Sequence, residues 1–171
     1  MGVRDWLRLR DKKAKVSFID PVLGELTSRS DSFVSIVRFQ GSEFELTIDP
    51  DGEDLELCLE LAHKIVEELE TIHAKAKSVA SEILLETYND NWRFYSRVGD
   101  DGQSEEIEDP HLSASDFEHR LELAGIGVTG LSGIDFCFND NGLFSGHSIF
   151  VTSFDGHKMN CLLYTSPSPR D

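Results

Sequence analysis

Apolar residues recur at alternating intervals of four and three positions along residues 55–95, a stretch that contains no Gly or Pro. This spacing places them on one face of an α-helix. The expected inner face consists of Cys58, Ala62, Ile65, Leu69, Ile72, Ala76, Val79 and Ile83. The pattern predicts one long amphipathic helix or two helices in series, with a break expected within residues 73–78 because so long a helix is unusual in a small domain.

Three short segments before the helical stretch alternate apolar and polar residues, as strands with one solvated face do. They are residues 22–27, 33–39 and 44–48, and short polar links join them. Three short strands with tight connections predict an antiparallel β-meander.

The chain after the helical stretch returns to strand patterns. Residues 134–138 and 148–152 alternate, and Asn141-Gly142 between them is a favoured hairpin dipeptide. Residues 99–110 are expected to form a mobile polar loop, and the glycines of residues 125–130 are expected to loosen the chain. A short late helix should begin after Leu112-Ser113, because Ser113 can cap it and Asp116 follows three positions later.

Strands, then helices, then strands indicate the α+β class rather than a parallel doubly wound sheet. The predicted fold is two antiparallel β-meanders flanking a central long helix or helix pair, plus one short late helix. At 171 residues, with 39% hydrophobic and 28% charged residues, the chain is long and apolar enough to bury a core. The three cysteines form no CxxC pair, so neither a disulfide framework nor a zinc knuckle is expected.

The charge is strongly negative and unevenly distributed. The chain carries 16 Lys and Arg against 32 Asp and Glu, a net charge of -16. Residues 1–15 carry +4 and residues 16–160 carry -20. Such a body repels nucleic acid and anionic membranes, and it favours a basic protein partner or metal ions. The acidic interaction face is expected on the helical stretch, at Glu67, Glu68 and Glu70.

Residues 1–15 are predicted to be a basic N-terminal arm that docks loosely, and residues 16–160 a single α+β domain. A membrane-surface helix is the alternative for the arm, since Trp6 and Leu9 make a small apolar face. The arm lacks the apolar region of a secretory signal, and no apolar run reaches the length of a membrane span. These features predict a cytoplasmic protein.

The last eleven residues, CLLYTSPSPRD, change character abruptly. Back-translated, residues 161–171 resemble the transposase adapter used in preparing sequencing libraries. This match predicts that the reading frame ran from natural DNA into adapter, as in an assembled environmental sequence. Residues 161–171 are therefore expected to be non-native and to carry neither structure nor function.

Metal sites are weakly indicated. Residues 49–54 are rich in Asp but fail the calcium-loop spacing, because the residue six positions after the glycine is not Glu. His63 and Glu67, and Glu70 and His73, each lie one helical turn apart, but carboxylate-bridged metal bundles need two Glu-x-x-His motifs and further Glu residues. The sequence predicts no metal and no cofactor.

His147 is the most suggestive candidate for chemistry, because it follows a predicted tight turn that could aim it into a cleft. A catalytic His needs a partner. Ser148 is adjacent on a strand and points the other way, so Asp90 or Asp135 is the candidate partner. The alternative is a histidine held inside the sheet or beside Trp92. The candidate catalytic residues are His147 and Asp90. The candidate binding residues are Tyr88, Asn89, Asp90, Asn91, Trp92, His147 and Ser148.

Three motifs occur in order: D-P-V-L-G-E-L at residues 20–26, Y-N-D-N-W at residues 88–92, and G-H-S-I at residues 146–149. Together with Leu112-Ser113, they resemble the bacterial family of the domain of unknown function 2262, over about residues 16–159. The resemblance implies a small bacterial α+β domain and brings no activity, cofactor or catalytic residue with it.

Two functional hypotheses follow, with a structural alternative. The first is a non-catalytic acidic protein-interaction domain, of immunity or regulatory type. It is favoured because the domain is strongly acidic and its sequence contains no complete set of catalytic residues. The second is a small enzyme or ligand-binding domain with a cleft near His147 and residues 89–92. In the structural alternative, residues 88–92 lock the helix end onto the second meander.

Overall fold

The computed structural model describes residues 16–155 and 158–164. The strands are β1 (Ser17–Asp20), β2 (Gly24–Arg29), β3 (Ser32–Phe39), β4 (Ser42–Asp49), β5 (Phe94–Val98), β6 (Ser104–Glu108), β7 (Glu122–Thr129), β8 (Gly133–Asn139), β9 (Ser148–Ser153) and β10 (Met159–Tyr164). The helices are α1 (Leu55–Glu67), α2 (Leu69–Thr87), a π-helical turn (Tyr88–Trp92) and α3 (Ala114–Arg120). The predicted α+β class is confirmed. No helix within these ranges is long and apolar enough to cross a bilayer.

Eight strands form one sheet in the order β1-β2-β3-β4-β7-β8-β9-β10. Neighbours pair antiparallel except β4 and β7, which run parallel, with Leu46 opposite Ile126 and Ile48 opposite Val128. A parallel pair requires a long crossover, and the chain between β4 and β7, which contains α1, α2 and α3, supplies it. The strand groups on either side of the helices therefore lie side by side in one sheet.

Each half of the sheet has more strands than the alternation predicted. On the first side, β1 pairs with β2, with Phe18 opposite Leu26. On the second side, the expectation of a loosened chain around residues 125–130 is wrong, because residues 122–129 form β7. Gly125 and Gly127 alternate with the buried Ile126 and Val128, so the glycines lie on the sheet face that the helices do not cover. The core face of β7 is thus apolar even though its other face carries glycine.

The helical stretch is two helices that meet at Glu68, whose φ and ψ are -101° and 15°. The break therefore precedes the expected segment 73–78. The predicted inner face is correct in α1, but Ile83 near the end of α2 is 43% exposed. On a straight helix, residues of a strict seven-residue repeat drift around the axis by about 20° per heptad. The last residues of the predicted inner face therefore lie outside the buried face. The buried residues of α2 are Leu69, His73, Ala76, Ala80, Ser81 and Leu84.

Alternate residues of the central strands form the core with the helices. In β4 these are Phe44, Leu46 and Ile48, each at most 5% exposed. The helix α1 contacts β4 and β7, and α2 contacts β9 and β10. Ala62 in α1 and Ala76 in α2 are fully buried. Small side chains at these positions let the helices approach the sheet closely while the strands supply the bulk.

The segment expected as a mobile polar loop forms an antiparallel hairpin of β5 and β6, separate from the main sheet. All residues of β5 are exposed, and Val98 is 70% exposed. The turn is closed by a hydrogen bond from the Gly99 amide to the Gln103 carbonyl, 2.8 Å. The acidic composition of this segment hid the strand pattern, because a hairpin solvated on both faces needs no apolar alternation.

The strand β10 includes residues 161–164, the first four of the segment expected to carry no structure. Cys161 pairs with Val151 and is 7% exposed. The expectation of no structure is wrong for these four residues, because an apolar stretch can pair with the open edge of β9. Their origin in adapter sequence stays a prediction, and residues 1–15 and 165–171 lie outside the described part of the chain.

Candidate functional site

The loop between β8 and β9, which carries His147, is built around Asp140. This residue is 4% exposed. Its carboxylate accepts hydrogen bonds from the backbone amides of Gly142 (3.1 Å), Phe144 (2.6 Å) and Gly146 (3.1 Å). The expected tight hairpin is replaced by this longer loop, because Asp140 satisfies the amides that a hairpin ladder would otherwise pair.

An aromatic cluster brings the loop to the π-helical turn. The rings of Trp92 and His147 lie 5.3 Å apart at 73°, and those of Trp92 and Phe144 lie 5.4 Å apart at 72°. Phe144 is fully buried and also contacts Tyr88 and Phe117, at 6.1 Å each. Edge-to-face contacts of this kind favour a fixed arrangement of rings. Two stretches that are distant in the sequence thus meet, as the second hypothesis requires.

Asn89, within the same turn, is used by the fold. It is 8% exposed, its side-chain amide donates to the Leu112 carbonyl at 3.0 Å, and its side-chain oxygen accepts from the Leu112 amide at 2.9 Å. This two-way clamp ties the end of α2 to the segment before α3. Because both ends of the amide are engaged, Asn89 is occupied by the fold rather than presented to a ligand.

Arg93, which the sequence analysis did not single out, anchors the β5–β6 hairpin. Its guanidinium donates to the Asn89 carbonyl (2.9 Å), to the Glu108 carboxylate (2.7 Å) and to the Asp109 carbonyl (3.0 Å). It also lies 4.1 Å from the ring centre of Phe94. The Arg93 side chain therefore ties the far strand of the hairpin to the π-helical turn.

The remaining predicted residues are divided between surface and interior. Tyr88 is buried, Ser148 is half-buried, and Asp90 and Asn91 are exposed. The ring contact of His147 is with Trp92, and the structure gives no hydrogen bond between His147 and either candidate carboxylate in the described part of the chain. The catalytic and binding roles assigned to this group stay predictions.

A second polar centre, missed by the sequence analysis, joins Asp20 to His63 of α1. Asp20 is 7% exposed, and both of its carboxylate oxygens lie 2.9 Å from His63 Nε2. The carboxylate also accepts from the amides of Val22 (2.9 Å) and Leu23 (2.8 Å). Burial alone would raise the pKa of Asp20, but these hydrogen bonds and His63 lower it below its usual value. The Asp-Pro dipeptide signals a turn, but nothing in the sequence indicates the distant His63.

Within residues 16–155 and 158–164, the acidic side chains do not assemble into a metal centre. Among the described residues, no group of three or more His, Cys, Asp or Glu side chains could hold a metal ion. Glu70 is exposed whereas His73 is buried. The two side chains, which lie one helical turn apart, are therefore in different environments. Glu67 and Glu68 are exposed at the junction of α1 and α2.

The sheet face away from the helices, here called the open face, carries a groove of about 790 Å³. Its floor is formed at Gly125 and Gly127, which have no side chains to fill it. Asp135 lies opposite Gly127, is half-buried, and has its pKa raised by burial. No hydrogen bond or ion pair to its carboxylate occurs within residues 16–155 and 158–164. Asp135 is thus a partly desolvated acid in the lining of the groove.

The rim of the groove combines apolar and paired charged residues. Ile36 is 56% exposed, and Phe150 lies on the other side. Glu45 forms two hydrogen bonds with Arg29, at 2.8 and 3.1 Å. These charges already have partners, which distinguishes them from the Asp135 carboxylate.

Comparison with known proteins identifies the family. The profile of an uncharacterized protein family conserved in bacteria, DUF2262, matches residues 20–162. The chain belongs to this family, as the resemblance of its motifs implied. No curated protein matches the chain, and no solved structure matches it.

Replacing Trp92 with Ala tests the aromatic cluster. We expect the free energy of unfolding to fall by about 3 kcal/mol, the lower end of the range for buried aromatics, because Trp92 is half-buried. The His147 ring resonances should shift in NMR spectra as they lose the ring current. Phe154→Ala is the matched control: Phe154 is 83% exposed, so the change should stay within about 0.5 kcal/mol. Equal urea midpoints for the two variants would contradict the cluster's role.

Replacing Asp20 with Asn tests the pair with His63. Because the pKa of Asp20 is lower in the folded chain than its ordinary 3.8, its stabilisation is present above about pH 4 and is lost as the pH falls through the folded pKa. We expect Asp20→Asn to lower the free energy of unfolding by about 1–3 kcal/mol at pH 7. The difference from wild type should shrink as the pH falls below 4. A difference that does not change between pH 7 and 3 would refute this assignment, with exposed Asp90→Asn as the control.

Proposed function

We propose that this protein is a non-catalytic interaction domain, of immunity or regulatory type, whose open face binds a basic segment of a partner protein. The observation that carries the proposal is Asp135, a half-buried carboxylate that lines an open groove and has no partner among the described residues. A buried charge is costly unless it is paired. An incoming Arg or Lys would supply the missing pair.

The overall charge supports a basic partner. The net charge of -16 attracts cationic molecules over long range and raises their association rate. At short range, the two carboxylates of the groove differ. Asp135 is unpaired among the described residues, whereas the carboxylate of Glu45 already forms an ion pair with Arg29. Long-range attraction is therefore general, whereas the final pairing is specific to one position.

The shape of the groove supports an extended or loop segment. The missing side chains at Gly125 and Gly127 let a partner approach the strand surface closely. Ile36 and Phe150 provide apolar contacts beside the carboxylate. A segment with a basic residue flanked by apolar residues matches this arrangement of chemistry.

The acidic face on Glu67, Glu68 and Glu70 is a second surface for the same class of partner. It lies on the helices, and so on the opposite side of the sheet from Asp135. Exposed charges of this kind contribute mainly to the association rate. The two surfaces are separable by mutation.

The alternative function is a small enzyme or ligand-binding domain with a cleft near His147 and residues 89–92. The contact between Trp92 and His147 favours it, because it holds the His147 ring beside the π-helical turn. The candidate catalytic residues remain His147 and Asp90.

Capture from a lysate of the bacterium that carries the gene tests the proposal, with Asp135→Asn and Asp135→Lys compared against wild type. We expect wild type to retain one basic protein in stoichiometric amount, released by moderate salt. Asp135→Asn should weaken its binding by about tenfold, and Asp135→Lys by more, since a desolvated charge pair is lost and then reversed. Affinity should also fall as the pH is lowered through the raised pKa of Asp135.

Two further variants assign the surface. Asp90→Lys adds the same charge at an exposed position and should leave the binding unchanged. Changing Glu67, Glu68 and Glu70 together to Lys should slow association without abolishing the complex. Equal retention by wild type and Asp135→Lys would remove the open face from the interface, and no basic partner at low salt would contradict the proposed function itself.

A further inference from the structure

A cavity of about 290 Å³ lies at the edge of the interface between α2 and the sheet. Its walls come from α2, from the turn between β3 and β4, from His119 near the end of α3, from the start of β7 and from Asn141. Its polar residues are distinct from those of the open groove, and it does not include the contact between Trp92 and His147. It is therefore a separate candidate site on the helix side of the sheet.

His73 lines this cavity although it is only 7% exposed. Its ring packs edge-on against Phe39, with centroids 5.2 Å apart, and lies 5.7 Å from Phe138. Neither ring nitrogen has a hydrogen-bond partner in the part of the chain that the structure describes. Burial and the nearby Lys77 lower the pKa of His73, so its imidazole is neutral at pH 7 and carries one N–H donor.

Lys77 follows His73 by one helical turn and lines the same cavity. It is half-buried, and burial lowers its pKa, while Glu118 acts in the opposite direction. An ammonium group partly removed from water gains from a nearby anion, which favours its charged form. The cavity thus places an N–H donor and an amine side by side.

The remaining walls limit the size and charge of a ligand. Phe39, Phe44, Leu121 and Leu123 supply the apolar part of the lining, and polar side chains beside them come from Gln40, Ser42, His119 and Asn141. Glu122 lies at the rim and repels additional negative charge. A ligand that fits these features is small, has an apolar body and bears a single negative charge.

We propose that this cavity binds a small monocarboxylate, whose carboxylate pairs with Lys77 and accepts a hydrogen bond from His73. The apolar body lies against Phe39 and Phe44. Because the protein carries a net charge of -16, anions are repelled from most of its surface, and Lys77 supplies the positive charge that offsets this repulsion in the cavity. Dianions such as phosphate esters are disfavoured by the nearby Glu118 and Glu122.

Benzoate is the probe, and benzamide is its neutral counterpart of the same shape. Both are titrated into the full chain, with isothermal calorimetry for affinity and NMR of the histidine side chains for location. We expect benzoate to bind with a Kd on the order of millimolar, as a small ligand does, and to shift the His73 resonances. Benzamide should bind at least about tenfold more weakly, because the charge-assisted bond is lost.

Lys77→Met removes the charge and keeps roughly the length of the side chain. It should lower the affinity for benzoate by about tenfold. Lys64→Met, an exposed position on α1, is the matched control and should bind benzoate as wild type does. Affinity should fall as the pH rises through the pKa of Lys77, because the neutral amine no longer pairs with the carboxylate.

The proposal is overturned if benzamide binds as tightly as benzoate, if Lys77→Met keeps the wild-type affinity, or if benzoate leaves the His73 resonances unmoved. The comparison of the two probes uses the wild-type chain alone. It therefore decides the question even if Lys77→Met fails to fold.

Discussion

The parallel pairing of β4 with β7 determines how the other elements are arranged. All other neighbours in the main sheet are antiparallel, so turns or loops can join them, but in this parallel pair the chain must return from the end of β4 to the start of β7 at the opposite end of the strands. The crossover contains α1, α2 and α3, and the first two cover one face of the sheet. Within the described residues, the opposite face is left to solvent, which is why the molecule has a helix side and an open face.

Buried polar side chains hold the connections that this topology requires. Asp20 ties the turn before β2 to α1, Asn89 ties the end of α2 to the segment before α3, and Asp140 shapes the loop before β9. Each accepts hydrogen bonds from backbone amides that no regular element satisfies. The loops of this protein are therefore fixed by specific polar contacts as much as by apolar packing. His73 and Asp135 differ from these three groups, because neither has a hydrogen-bond partner among the described residues.

The sequence pattern predicted elements wherever one face is buried and the other solvated. It found β2, β3, β4, β8 and β9, the helical stretch and the cap at Ser113. It missed β7, where glycine interrupts the outer face, and the β5–β6 hairpin, which is solvated on both faces. The sequence does not reveal the break between α1 and α2, because Glu68, the residue with non-helical backbone angles, is an ordinary helix former. The type of an element could thus be predicted where one buried face gives the sequence a regular spacing of apolar residues. The order of the strands in the sheet could not be predicted.

The candidate sites were recoverable only in part, for a related reason. The proximity of Trp92 and His147 was anticipated from two motifs, whereas the pairing of Asp20 with His63 joins residues 43 positions apart. A polar contact between two single residues produces no periodic pattern in the sequence. The burial of His73 could not be predicted either, because it depends on the residue at which α2 begins.

Alternation along the central strands separates two sets of residues with different constraints. Phe44 is buried against the helices, while Glu45, the next residue, faces the groove. The same interleaving holds in β7 and β8. Substitutions at every second position can therefore alter the groove while the intervening residues keep the fold, so the surface of this sheet can change without changes to its interior.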